Sequence, residues 1–362
     1  MKYLYEKIYI VLIFLTVIII SILLIFLPKQ ELSKSERRKL ADIPNISVEN
    51  ILNGKILKDL DTYVQDHFPL RDVFRNHKFK YDIHVMQKLQ SGGYVYVQGH
   101  LSKINLNAKD EAYRKSARYF RSILERLFKD GNRYYAIIPT KNYYFKDSSY
   151  SNYDMVEEIF SQELKNVKKI DISSKLSLED YYKSDLHWDI VKIDKVSDLM
   201  LESLNRKSSG EEKRIISIGK FYGSYSSALG ETSIYDEMQY IDSKDLRNYI
   251  AKDLISKEEI EIFNPKEINS NDSYNVFLGG PRPLIEIKNK KYSDEKTLYI
   301  LRDSFASSIV PRLLGGYDRI VMIDLRYISP KFLSNYININ EKDDIVLLIS
   351  DEIVKDVKIF KK

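Results

Sequence analysis

Two short stretches of this chain hold the side-chain types of an acyl-transfer centre, Ser184-Asp185-Leu186-His187-Trp188 and Arg302-Asp303-Ser304-Phe305. A serine hydroxyl is a weak nucleophile at neutral pH and needs a positioned base. Ser304 follows an apolar, β-favouring run from Thr297 to Leu301, and small and apolar residues continue from Phe305 to Leu314. That pattern predicts strand, tight turn and helix, with the hydroxyl at the carboxyl edge of a sheet. The free N–H groups at the start of such a helix, near Phe305, lie where an oxyanion develops. Asp185 and His187 are two apart, so in extended backbone they point to the same side. The carboxylate would orient the ring through Nδ1 and leave Nε2 to face the serine. Taken alone, Asp-x-His reads equally well as an exposed loop pair. Trp188, the single tryptophan, would pack this loop in place or form an apolar wall. Asp303 is expected to fix the turn by accepting backbone N–H bonds, because neighbours on a sharp turn rarely aim at one base.

The other histidines carry less. His67 sits at a helix break, His77 and His84 on a helical stretch and His100 after Gly99, and none has metal-ligand spacing. No metal or nucleotide cofactor is expected. The chain has no cysteine, which excludes disulfides, zinc–thiolate sites and thiol catalysis. Its net charge of +5 is small against 57 basic and 52 acidic residues, and no long basic block occurs, which argues against nucleic-acid binding. Tyrosine is abundant at 28 residues. Some could stack on sugars, but a compositional habit explains most of them.

The elements that must position these residues follow from the hydrophobic pattern. Residues 8–27 are uncharged and almost wholly apolar, long enough to cross a bilayer as a helix. Thr16 and Ser21 interrupt the run, and both can bond back to their own helix. The exit through Phe26-Leu27-Pro28-Lys29 offers no small-x-small cleavage site, so an uncleaved anchor is expected, with residues 1–7 before it. Residues 28–52 read as a linker, and a domain is expected over 53–362. Within it, strand and helix patterns alternate: helix over 112–129, strand over 134–138, helix over 153–164, strand over 167–172 and helix over 190–204. Alternation predicts an α/β fold, a mostly parallel sheet with helices on both faces. Residues 206–296 break the rhythm and read as a β-rich insertion. The rhythm resumes with the strand before Ser304, a strand over 319–323, a helix over 330–336 and a strand over 345–349.

Several blocks in one order resemble the DHHW family, SGNH-hydrolase-like proteins related to alginate O-acetyltransferases of the AlgX/AlgJ type. Ser184-Asp185-Leu186-His187-Trp188 and Arg302-Asp303-Ser304-Phe305 carry the resemblance. Glu36 to Pro44 resembles the family's lead-in, Asp66 to Asp72 its D-x-F-P-x-R-D segment, and Pro139-Thr140-Lys141 its P-T-K. Tyr274 to Gly280 and Ile323 to Tyr327 resemble two further blocks. The resemblance implies an SGNH-hydrolase-like three-layer sandwich and a triad of Ser304, His187 and Asp185. Here Asp-x-His precedes the serine, a permuted order. Arg302 stands where the usual serine block has glycine, and a larger side chain there would narrow the approach to Ser304. Gly223, in Phe221-Tyr222-Gly223-Ser224, is a candidate oxyanion donor and equally a plain turn glycine. Lys141, Arg71 and Arg326 either bind an anionic substrate or pair with carboxylates, and they are left outside the site.

By the same resemblance the chain is expected to be a membrane-anchored, extracytoplasmic O-acetyltransferase acting on a cell-surface polysaccharide, supplied with acetyl groups by a multi-spanning membrane acyltransferase. A carbohydrate acetyl-esterase and a non-catalytic polysaccharide-binding or assembly protein are the alternatives. Lys2 and Lys7 precede the apolar run, whereas Lys29, Lys34, Arg37, Arg38 and Lys39 follow it, and a simple charge count would leave the large domain in the cytoplasm. The resemblance implies the outside.

Overall fold

The computed structural model describes every residue except Met1, Lys34, Arg37, residues 105–107, Ser209 and residues 292–295. Lys34 and Arg37, both counted in the charge argument, lie outside the described residues. The chain divides into two compact units: Met1–Gly92 with Ser226–Thr232, and Gly93–Tyr225 with Ser233–Lys362. Residues 53–92, expected to begin the large domain, thus group with the lead-in.

The first unit begins with α1 (Lys2–Phe26). Its Tyr5–Phe26 segment is long and apolar enough to cross a membrane. The Thr16 and Ser21 hydroxyls donate to the carbonyls of Leu12 and Val17 at 2.8 and 2.9 Å, so neither leaves a polar group unsatisfied. The stretch expected to be a linker holds short ordered pieces: β1 (Leu32–Ser33) pairs antiparallel with β2 (Arg38–Lys39), and α2 (Val48–Leu52) follows an N-cap at Ser47. α3 (Lys55–Asp66) and α4 (Arg71–Lys80) come next, then a π-turn over Tyr81–Val85 and β3 (Gln90–Ser91). Charge pairing joins the lead-in to the α3–α4 break. Arg38 donates to Asp66 at 2.8 Å, and Arg71 grips Glu36 in two bonds of 2.9 and 3.0 Å. The Arg38 contact holds the Asp66 carboxyl down at about 2.

The second unit opens with an antiparallel pair, β4 (Tyr94–Val97) and β5 (His100–Lys103). Helix and strand then alternate: α5 (Asp110–Leu127), β6 (Asn132–Ile138), α6 (Tyr153–Glu163), β7 (Lys168–Lys169) and α7 (Asp194–Ser203). β8 (Arg214–Phe221) and β9 (Asp236–Asp242) form a separate antiparallel hairpin, and between them in the chain α8 (Ser224–Leu229) passes from Ser226 onward into the first unit. β10 (Tyr249–Asp253), β11 (Glu259–Ile260), β12 (Leu284–Asn289), β13 (Leu298–Arg302), α9 (Ala306–Leu313), β14 (Arg319–Ile323) and β15 (Asp344–Ser350) complete it.

Eight strands make one sheet in the order β11-β10-β12-β14-β13-β15-β6-β7. The five from β14 to β7 are parallel, and β12, β10 and β11 extend the sheet antiparallel. Alternate residues of each central strand enter different cores. Leu298 and Ile300 pack with Val196 and Met200 of α7 and Ile309 and Leu313 of α9. Tyr299 and Leu301 pack with Phe120 and Leu124 of α5 and Val156 and Phe160 of α6. The result is the expected three-layer α/β sandwich. Its inner strands read as unbroken apolar runs because helices cover both faces.

Several expected boundaries shift. The segment 206–296 is not a separate β-rich insertion: β10, β11 and β12 belong to the main sheet, and among its described residues only the β8–β9 hairpin stands apart. Its polar composition hid the two-residue alternation, and antiparallel pairing with β14 across a long sequence gap leaves no local signal. The helix expected over 190–204 begins at Asp194, the strand over 167–172 shrinks to two residues, and 330–336 is a 3-10 turn over Pro330–Asn335.

Candidate active site

β13 ends at Arg302 at the centre of the sheet, and the chain turns through Asp303 and Ser304 into α9. Asp303 makes the turn. One carboxylate oxygen accepts the Phe305 N–H at 3.0 Å, and the other accepts the N–H and hydroxyl of Ser350 at 2.8 and 2.7 Å. The carboxylate thereby ties the end of β13 to the end of β15, its parallel neighbour. Ser304 is left partly exposed at the carboxyl edge.

Asp185 and His187 lie on a reversal closed by a bridge between Tyr181 and Trp188 and by the Tyr182 N–H donating to the His187 carbonyl at 3.1 Å. Asp185 Oδ1 lies 2.6 Å from His187 Nδ1 and also accepts the His187 N–H at 3.0 Å. His187 Nε2 lies 2.8 Å from Ser304 Oγ. The structure brings these three predicted residues into one chain of hydrogen bonds. Asp185 is fully buried and only 6% of His187 is exposed, so little water competes for these bonds.

The other three predicted residues occupy different places. The Phe305 N–H is committed to Asp303, so it is not a free oxyanion donor. The Phe305 ring is fully buried between His187, 4.8 Å away, and Trp188, 5.3 Å away and edge-on. Gly223 is no oxyanion donor either, because its N–H bonds Ser184 Oγ at 3.0 Å. Its lack of a side chain is what the site uses: a Cβ there would meet Asp185 Cβ at 2.4 Å and the Ser184 backbone at 2.6 Å. That close approach lets the Ser224 N–H donate to Asp185 Oδ2 at 2.6 Å. Trp188 is fully buried and does not face a substrate. Its indole N–H donates to Ser308 Oγ at 2.8 Å and pins the Asp-x-His loop to α9.

Two supporting residues escaped sequence reasoning. The Tyr274 ring stacks on the imidazole, and its hydroxyl donates to Ser308 Oγ at 3.0 Å. Its place in the Tyr274–Gly280 block was the only available signal. Asp236 accepts Ser184 Oγ at 2.5 Å and the Ser184 and Lys183 N–H groups at 2.8 Å, which fixes the strand entering the loop. No sequence signal pointed to it.

The cations left outside the site have partners. Arg326 pairs with Asp324 at 2.6 and 2.8 Å and Arg71 with Glu36. Lys141 is fully buried, donates to the Tyr182 carbonyl and lies 5.4 Å over the Tyr225 ring. Desolvation pulls its ammonium down to about 7 despite the carboxylates of Asp185 and Asp236. Arg302 is buried and donates to Ser307 Oγ at 2.8 Å and the Arg282 carbonyl at 3.2 Å, bracing the first turn of α9.

The fold is a three-layer α/β sandwich with a large, mostly parallel central sheet, and it carries a serine on a strand-to-helix turn reached by a histidine from a second loop. Among solved structures the fold is similar to a DHHW family protein from Eubacterium siraeum, with a TM-score of 0.58 and 17% identity over 75% of this chain and 94% of that one. It is also similar to Bacillus cereus PatB1, with a TM-score of 0.57 and 16% identity over 74% of this chain and 99% of that one. A second PatB1 structure, with a sulfonyl adduct, gives a TM-score of 0.55 and 18% identity over 74% of this chain and all of that one. No family model and no curated protein matches the sequence.

Proposed function

We propose that the chain is a membrane-anchored, extracytoplasmic O-acetyltransferase that modifies a cell-surface polysaccharide through an acetyl-serine intermediate. The observation that carries this reading is the bonded series Asp185–His187–Ser304, with 2.6 Å at the first step and 2.8 Å at the second. His187 Nε2 takes the hydroxyl proton as Ser304 Oγ attacks the acetyl carbonyl of a donor ester. The tetrahedral intermediate collapses, the donor's alcohol leaves with the proton from His187, and the acetyl group remains on Oγ. A sugar hydroxyl then gives its proton to His187 and attacks the acetyl carbon, and the second tetrahedral intermediate collapses as His187 returns that proton to the departing Ser304 Oγ. Asp185 holds the ring and balances the imidazolium. Among the described residues no acceptor engages the Ser304 N–H, and this is the donor we assign to the developing oxyanion. The apolar segment Tyr5–Phe26 supports the anchor, and a multi-spanning acyltransferase in the same membrane is the proposed acetyl supplier.

The test is intact mass after incubating the full chain with 4-nitrophenyl acetate. One acetyl group should be added, and Ser304→Ala should abolish it. A folded protein that gains no acetyl group and turns over no ester rules out the enzyme. Candidate oligosaccharides added to the acetylated protein then separate transfer from hydrolysis: transfer leaves acetate on the sugar, an esterase releases it to water.

A further inference from the structure

Beyond α1, the exposed large apolar side chains concentrate in the first unit. In the second unit they are scattered singly, as at Ile215, Ile250 and Phe332, and call for no explanation. On α4 and the π-turn that continues it, Phe74, Tyr81 and Val85 recur at spacings of seven and four, one face of a helix, and are 57%, 54% and 64% exposed. Leu70, 69% exposed, stands at the start of this face. Leu70, Phe74, Tyr81 and Val85 line one face, with the exposed His77 and Lys78 between Phe74 and Tyr81, and exposed apolar side chains gathered on one face mark contact surfaces.

The position of this face indicates what covers it. A cleft of about 740 Å³ is lined on one side by Leu27 and Pro28, where α1 ends, and on the other by Phe68, Leu70 and Val73, where α4 begins. The Lys29 ammonium lies 5.6 Å over the ring of Tyr63 on α3. The apolar face therefore starts within one cleft's width of the point where the membrane-spanning segment ends. Lys78, on this face, and Lys88 are both exposed and both paired with Asp82, so their charge is partly balanced and the flanking basic groups face an anionic surface together with the apolar ones.

We propose that this face of α4 lies in the headgroup layer of the bilayer that α1 crosses, as an interfacial helix. The inference rests on the reading of Tyr5–Phe26 as a membrane span. A helix of this kind would fix the height and tilt of the first unit at the surface, where the anchor alone would leave it free to swing.

The absence of cysteine allows a clean test on the full chain in vesicles of phosphatidylcholine and phosphatidylglycerol. Phe74→Cys and Val85→Cys are labelled with an environment-sensitive fluorophore and challenged with shallow and deep nitroxide lipids and with aqueous iodide. Ile18→Cys reports on the anchor and Ile250→Cys on a solvent-facing position. The Phe74 and Val85 labels should be quenched at least twofold more by shallow than by deep nitroxides, with iodide access at least threefold below that at Ile250→Cys. Labels as open to iodide as Ile250→Cys and untouched by lipid nitroxides overturn the proposal, while a deeply quenched Ile18→Cys keeps the anchor. Labels shielded from iodide yet untouched by lipid nitroxides are covered by polypeptide, which also overturns it. An Ile18→Cys label that no nitroxide reaches removes the anchor and this inference with it.

Discussion

The Tyr274 ring lies face to face on the His187 imidazole, with centroids 3.7 Å apart and planes 9° apart. Asp185 holds the ring at one edge, Ser304 meets the other, and Tyr274 fixes its tilt. On the proposed mechanism, Tyr274→Ala should lower turnover of 4-nitrophenyl acetate roughly 100-fold, the scale of a misplaced catalytic group. Tyr274→Phe keeps the stack and loses only the bond to Ser308, so it should stay within about tenfold of the parent, on the scale of one neutral hydrogen bond. Equal losses in the two variants would show that the hydroxyl, not the stacked ring, matters.

Ser304→Ala, His187→Ala and Asp185→Asn should each reduce ester turnover by about 10³-fold or more. The effects should not add, because the proposed mechanism uses the three groups as one unit. Turnover of 4-nitrophenyl acetate by single and double variants checks this, and additive losses would contradict it.

Gly223→Ala places a methyl group 2.4 Å from Asp185 Cβ, against backbone that cannot yield cheaply. Overpacking of this kind costs about 1–3 kcal/mol. The strain falls on the segment carrying Asp185, the acid of the proposed triad, so ester turnover should drop as well. Trp188, the single tryptophan and fully buried beside the site, reports unfolding by fluorescence in urea. An unchanged midpoint together with parental activity would count against this account of Gly223.

Lys141 gives a pH signature. Burial lowers its ammonium from 10.5 to about 7, so between those values the unfolded chain binds a proton that the folded chain does not. The Lys141 contribution to stability therefore rises with pH across that window, and its burial cost is fully present below about 7. Lys141→Met should lack this rise. Urea midpoints at pH 7 and pH 10, compared between parent and variant, check it, and identical slopes would refute it.

Much of this protein was legible in the sequence because the signals were local. The apolar run of α1, the strand–turn–helix at Ser304 and the two-residue spacing of Asp185 and His187 each depend on neighbours along the chain. The turn role of Asp303 was legible for the same reason, since its partner Phe305 is two residues away. Even the parallel direction of the central strands could be anticipated, because strand and helix patterns alternate along the chain, whereas the order in which the strands pair could not.

What the tertiary structure decided depends on groups far apart in the chain. It placed Ser304 against His187 across 117 residues, gave β10 to β12 to the main sheet, and spent the N–H groups of Phe305 and Gly223 on Asp303 and Ser184. A backbone N–H looks the same at every position in a sequence. Whether it is free for an oxyanion is settled only by which acceptor the fold brings within about 3 Å of it. Arg302 makes the same point: the family resemblance offered it as an obstruction beside Ser304, and packing made it a buried brace on Ser307 and the Arg282 carbonyl.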